Sequence, residues 1–245
     1  MKKMRMLRYS IARLFYYKKQ TIFYCLFSSI IAFLLMFACN LYHLQAILYT
    51  QVEARLRFLD TAAFAGWFPS FLSVKQFYIH LILFLLFLFA GVFIFFFQQT
   101  LKQDRFELIN WRLAGLSKER IFLFIACQVI LPLLICCVFL FIWTVLFQNF
   151  YQNVLQTANF WSLKLFELPD THVILSTTNR LSIPMDQQTF FKINFVNELF
   201  FTDTIKSFFQ TVGILTIISL ILSAFQFLIF YQRLKKGKVV SYEYM

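Results

Sequence analysis

The chain has 245 residues, of which 60% are hydrophobic and 14% charged, with 36 Phe, only 5 Gly and a formal net charge of +12. An average soluble domain is about one quarter charged. The composition therefore excludes a disordered tail, a collagen-like chain, a secreted disulfide scaffold and an ordinary soluble domain. It carries more apolar side chains than one small core can hide from water, and it reads as a membrane protein.

Residues 1–20 come first. They hold seven basic residues, and Met4, Leu7, Ile11, Leu14 and Phe15 recur at helical spacing with Lys2, Arg5, Tyr9 and Arg13 opposite. Two readings stay open: an amphipathic helix lying at the membrane surface, or a basic anchor that only sets topology. The bulky Met36 and Phe37 before Cys39 fit a lipoprotein cleavage site poorly, so the segment is read as a retained anchor.

Four stretches free of Asp, Glu, Lys and Arg follow: 21–48, 76–99, 121–147 and 207–232. Each exceeds the roughly 20 apolar residues that a span requires. All four are expected to be helices, because a helix satisfies its own backbone in lipid. The expected fold is an all-α membrane protein with four transmembrane helices.

Between the spans lie a short loop at 49–75, a charged segment at 100–120 and a loop at 148–206; a basic tail, 233–245, closes the chain. Val52–Leu59 is a candidate outward continuation of the first helix. In 148–206, the β-branched and aromatic runs Thr171–Thr177 and Thr189–Val196 predict a small α/β outer lobe. Within 100–120, Leu101 to Ala114 reads as a helix with Phe106, Ile109 and Leu113 on one face and Asp104, Glu107, Asn110 and Trp111 elsewhere. Gly115 is placed to end it in a left-handed turn, and Ser117 to cap the next helix.

Basic residues orient the chain. Sixteen basic and four acidic residues fall in 1–20, 100–120 and the tail, against seven of each on the other side. Both termini are therefore expected to be cytoplasmic. Anionic lipid facing these loops accounts for the charge. The basic residues are scattered over three segments, so no nucleic-acid partner is expected.

Chemistry-bearing motifs are few. The five cysteines all fall in spans without metal-like spacing, and His43, His80 and His172 sit in three separate segments, so no metal site is expected. There is no phosphate-binding Gly-rich loop, no nucleophile elbow and no His-Glu-x-x-His. The spans contain no carboxylate or cation of the kind that an ion-coupled carrier uses. No catalytic residue and no cofactor is expected in this chain.

The run Phe106-Glu107-Leu108-Ile109-Asn110-Trp111-Arg112-Leu113-Ala114-Gly115-Leu116-Ser117-Lys118-Glu119-Arg120-Ile121 resembles the signature between spans two and three of the FtsX/MacB-like permeases, the membrane subunits of mechanically acting ABC transporters. The basic N-terminal segment, the four spans and the loop between spans three and four are similar too. The resemblance implies that 100–120 holds a coupling helix, with Phe106, Glu107, Ile109, Trp111, Arg112, Leu113 and Gly115 forming its contact with a separate ATPase subunit. That subunit would act as a dimer and bind ATP and Mg. A second permease chain, identical or related, would complete the unit in a bacterial plasma membrane. The function implied is export or mechanotransmission, with peptides, including antimicrobial peptides, or lipid-linked molecules as candidate cargos. The chain departs from many relatives in its short loop between spans one and two, and in having Gln128 near where they place a Glu. The alternative is a non-transporting sensor or scaffold that binds a ligand through its outer lobe.

Overall fold

A computed structural model describes residues 12–56, 71–166 and 197–242. Among the described residues every regular element is helical and no strand is present. Helical residues 12–16 lead into α1 (Lys18–Leu56). Then come α2 (Phe71–Gln103), α3 (Arg105–Leu113), α4 (Lys118–Leu146), α5 (Gln148–Leu165) and α6 (Asn197–Tyr242).

Four of these helices are long and apolar enough to cross a membrane: α1 over Lys18–Gln51, α2 over Ser73–Gln103, α4 over Lys118–Leu146 and α6 over Thr202–Gln232. The chain is thus a membrane protein built on four spanning helices. Each of the four runs past its charge-free core at one end or both. At 39 residues, α1 is about 58 Å long, against a hydrocarbon thickness of about 30 Å. Charges mark where hydrocarbon ends, whereas the helix itself ends only where capping and chain reversal stop it.

Several boundaries move accordingly. The first helix continues to Leu56, and the second begins at Phe71 rather than at 76. Leu101–Gln103 belong to α2, and the short connecting helix starts only after Asp104. The described part of 148–206 is helical at both ends, in α5 and at the start of α6. The runs expected to be strands, Thr171–Thr177 and Thr189–Val196, lie outside the described residues, as do residues 1–11 and 243–245.

The described residues fall into two compact units. Unit one draws on Met1–Phe33, Leu85–Phe141 and Gln210–Met245, and unit two on Leu34–Phe84 and Ile142–Phe209. Unit one has an aromatic and aliphatic interior. Phe89, Phe93 and Phe97 follow one another along one face of α2, and the rings of Tyr24 and Phe96 meet edge to face at 5.4 Å. Such offset and edge contacts suit the ring quadrupole. Unit two is held differently. Asn40 of α1 donates to the Tyr151 hydroxyl of α5 at 2.6 Å, Gln45 donates to Asn159, and the hydroxyls of Tyr78 and Ser162 lie 2.5 Å apart. All six residues are buried. Burial pushes the Tyr151 phenol up, with Asn40 pulling the other way.

The helix α6 buries Ser207, Thr211, Leu215, Ser219 and Ser223 at four-residue spacing. Small residues on one face let helices approach closely, which is how packing is won where lipid competes equally for apolar side chains.

Candidate functional site

The site is built around α3, a nine-residue helix in unit one. The chain leaves α2, breaks at Asp104, runs through α3 and stops where Gly115 takes the left-handed conformation, φ +82. The Leu116 amide donates back to the Trp111 carbonyl at 3.1 Å, the six-residue bond of a Schellman ending. The amides of Arg120 and Ile121 donate to the Ser117 carbonyl as α4 begins.

One face of α3 points outward. Phe106 is 80% exposed and Leu113 72%, with half-buried Ile109 between them and exposed Asn110 beside them. The other face is anchored. Leu108 is buried, and the Trp111 ring meets Phe124 of α4 edge to face at 4.8 Å. The backbone of Arg112 is helical, and its side chain lies outside the described residues.

The anchor at the head of α3 is ionic. Arg13 donates through one guanidinium nitrogen to Asp104 and through the other to Glu107. Its guanidinium also lies 5.8 Å from the Tyr17 ring centre. Arg13 is only 7% exposed and Asp104 is fully buried, whereas the Glu107 side chain keeps 46% exposure. A planar guanidinium suits this role, since its forked donors reach two carboxylates at once. Burial pushes the Asp104 carboxyl up to about 6, against the opposing pull of Arg13. Burial also works against the charge on Arg13, but the two carboxylates outweigh it and hold its pKa above the ordinary value.

The sequence placed Arg13 on the polar side of its helix and Phe15 on the apolar side, which a helix at the membrane surface turns to lipid. The structure overturns the first placement: Arg13 is buried, while Phe15 is 67% exposed. An outward phenyl costs nothing beside hydrocarbon, and a buried arginine is tolerable once two acids meet it. Arg13 and Asp104 are thus the residues that sequence reasoning missed. The available signal was the three-residue spacing of Asp104 and Glu107, which puts two acids on one helical face.

Beside Arg13 is a cavity of about 40 Å³, walled in part by Tyr24, Gln128 and Pro132. The Arg13 Nε and the Gln128 Oε1 are buried there without a partner among the described residues. The space is of a size to take a water, and polar enough to hold one. Gln128 is therefore an uncharged lining group of the cavity next to the ionic anchor.

Among the described residues no group of three or more His, Cys, Asp and Glu side chains is placed to hold a metal ion. His80 bonds its own helix, Nδ1 lying 2.7 Å from the Gln76 carbonyl. None of the five cysteines forms a disulfide, and the Cys136 thiol points at the Cys25 carbonyl at 3.6 Å. Comparison with protein-family models, with curated proteins and with solved structures returned no match.

Proposed function

We propose that this chain is the permease subunit of an ATP-binding cassette transporter of the FtsX/MacB-like kind, with α3 as the helix that docks a separate ATPase. The observation that carries this reading is the build of α3. A short helix between two spans shows Phe106 and Leu113 outward, while Trp111, Leu108 and the Arg13 pairs hold it from behind. A pair of large apolar side chains exposed on a rigidly held helix is what a partner's groove would accept.

Orientation follows from the basic residues. The side bearing 1–20, 100–120 and the tail would face the cytoplasm, which puts α3 where an ATPase can reach it. ATP and Mg would be bound by that ATPase, and the work would enter this chain through α3. The permease would act with a second permease chain in a bacterial plasma membrane. The cargo reading is export or mechanotransmission, with peptides as the leading candidates.

The test is a mild-detergent pull-down of the tagged full chain followed by an ATPase assay. Recovery of an ATPase from wild type, with loss from Phe106→Glu and Leu113→Glu variants that still insert, supports the docking role. If those variants retain the ATPase, α3 is not the docking element. If no ATPase comes down with the wild type, a sensor or scaffold role takes the place of transport.

A further inference from the structure

A second site lies on unit one, where the ends of spans one and two meet. An open groove of about 710 Å³ is bordered by residues of α1, the turn before it and the last part of α2. Its walls are graded along the helix axes. At one end stand Lys18 and Lys19, with Gln103 across from them. Deeper in, the groove is walled by Phe23 on α1 and by Phe95 and Phe96 on α2, with the rings of Phe23 and Phe96 5.7 Å apart. Gln99 marks the level between. Polar thus gives way to phenyl over about 6 Å along α1 and about 11 Å along α2.

Among the described residues no acidic side chain lines the groove, and neither Lys18 nor Lys19 makes an ion pair. The nearby acids, Asp104 and Glu107, are engaged by Arg13. Both lysines are exposed, as are Phe23 and Phe95. The groove opens at the boundary of the hydrophobic spans Lys18–Gln51 and Ser73–Gln103.

We propose that this groove binds one membrane phospholipid with an anionic headgroup. The headgroup phosphate meets the two ammonium groups, its ester region meets the amides of Gln99 and Gln103, and an acyl chain runs over the three phenyl rings. A zwitterionic lipid has the same tail but cancels the headgroup charge, so selection rests on Lys18 and Lys19. Basic pockets between spanning helices are suited to anionic headgroups in this way. The site follows from the membrane character of the chain alone and does not rest on the ATPase reading.

The test uses the full-length protein in detergent, exposed to equal amounts of phosphatidylglycerol and phosphatidylcholine, with retained lipid counted by native mass spectrometry. Wild type should retain phosphatidylglycerol in preference by on the order of tenfold, the scale expected of two lysines near a charged headgroup. The Lys18→Gln/Lys19→Gln variant should lose that preference, while Lys118→Gln/Arg120→Gln, which removes the same charge from α4, should keep it. An unchanged preference in the first variant, or an equal loss in both, overturns the site. As a second readout that needs no variant, phosphatidylglycerol carrying a photoactivatable acyl chain should label peptides containing Phe23, Phe95 and Phe96 above those of the lipid-exposed Phe139 and Ile221. Even labelling of all of them also overturns it. Excess inorganic phosphate should leave retention unchanged, since the tail supplies part of the binding. Displacement by phosphate would reduce the site to a simple anion site and likewise overturn the lipid reading.

Discussion

The two units bury polar groups by opposite means. Unit one commits charge: a buried arginine shared between two carboxylates, in the turn of chain around Asp104. The buried side-chain pairs described in unit two are neutral: amide to phenol, amide to amide and hydroxyl to hydroxyl. The difference has a physical reason. A neutral hydrogen bond pays a modest desolvation cost and makes a modest gain, and it fails gently. A buried ion pair balances two large terms, so removing one partner leaves the other stranded. The charged anchor should therefore be brittle, and the neutral one forgiving.

That contrast can be broken most sharply at Arg13. Replacing it with Ala leaves Asp104 buried without its cation and should cost about 3–5 kcal/mol, read as a fall in the thermal midpoint of the purified protein. Adding Asp104→Asn should restore part of the loss. If the double variant is no better than Arg13→Ala alone, the two side chains are not coupled.

Acidity offers a gentler probe of the same pair. The Asp104 carboxyl is raised from 3.8 to about 6 by burial. Its contribution to stability is then fully present below about 3.8 and is lost as pH rises through about 6. Relative to an Asp104→Asn variant, wild type should gain thermal stability as pH falls from 7 to 4. The opposite slope would mean that Arg13, not burial, governs the group.

In unit two, Tyr151→Phe removes one acceptor from the buried Asn40 amide. The expected cost is about 1–3 kcal/mol, below that of Arg13→Ala and nearly flat between pH 4 and 7. A cost equal to or above that of the arginine variant would erase the distinction between the units.

The smallest effect should come from Gly115→Ala. Nothing lies within 4 Å of where its Cβ would stand, so only the left-handed backbone resists. About 1–2 kcal/mol is expected, with Gly115→Asn costing less because Asn tolerates that conformation better than Ala.

How much of this was legible beforehand depends on which force decides each feature. The four spans stood out because twenty apolar residues in a row have few alternatives to a membrane helix. The turn at Gly115 was equally plain, since a glycine after a short amphipathic run has a local, steric meaning. The anchor was not legible. Arg13 and Asp104 are 91 residues apart, and a helical wheel assumes that charge faces water. At the end of a membrane span that assumption fails, which is why Arg13 turns inward to its two acids. The pairs of unit two were hidden for a related reason. Asn40 reads as a span residue that hydrogen-bonds between helices, but its partner Tyr151 lies beyond the third span in the stretch read as an outer lobe.

One further property follows from α1. Over its 39 residues it contains neither glycine nor proline, whereas α2 carries Gly91, α4 carries Pro132 and α6 carries Gly213. Those residues are where helices bend. Without them α1 holds an unbroken ladder of backbone hydrogen bonds over a rise of about 58 Å, and a proline introduced near its midpoint would remove one rung and kink it.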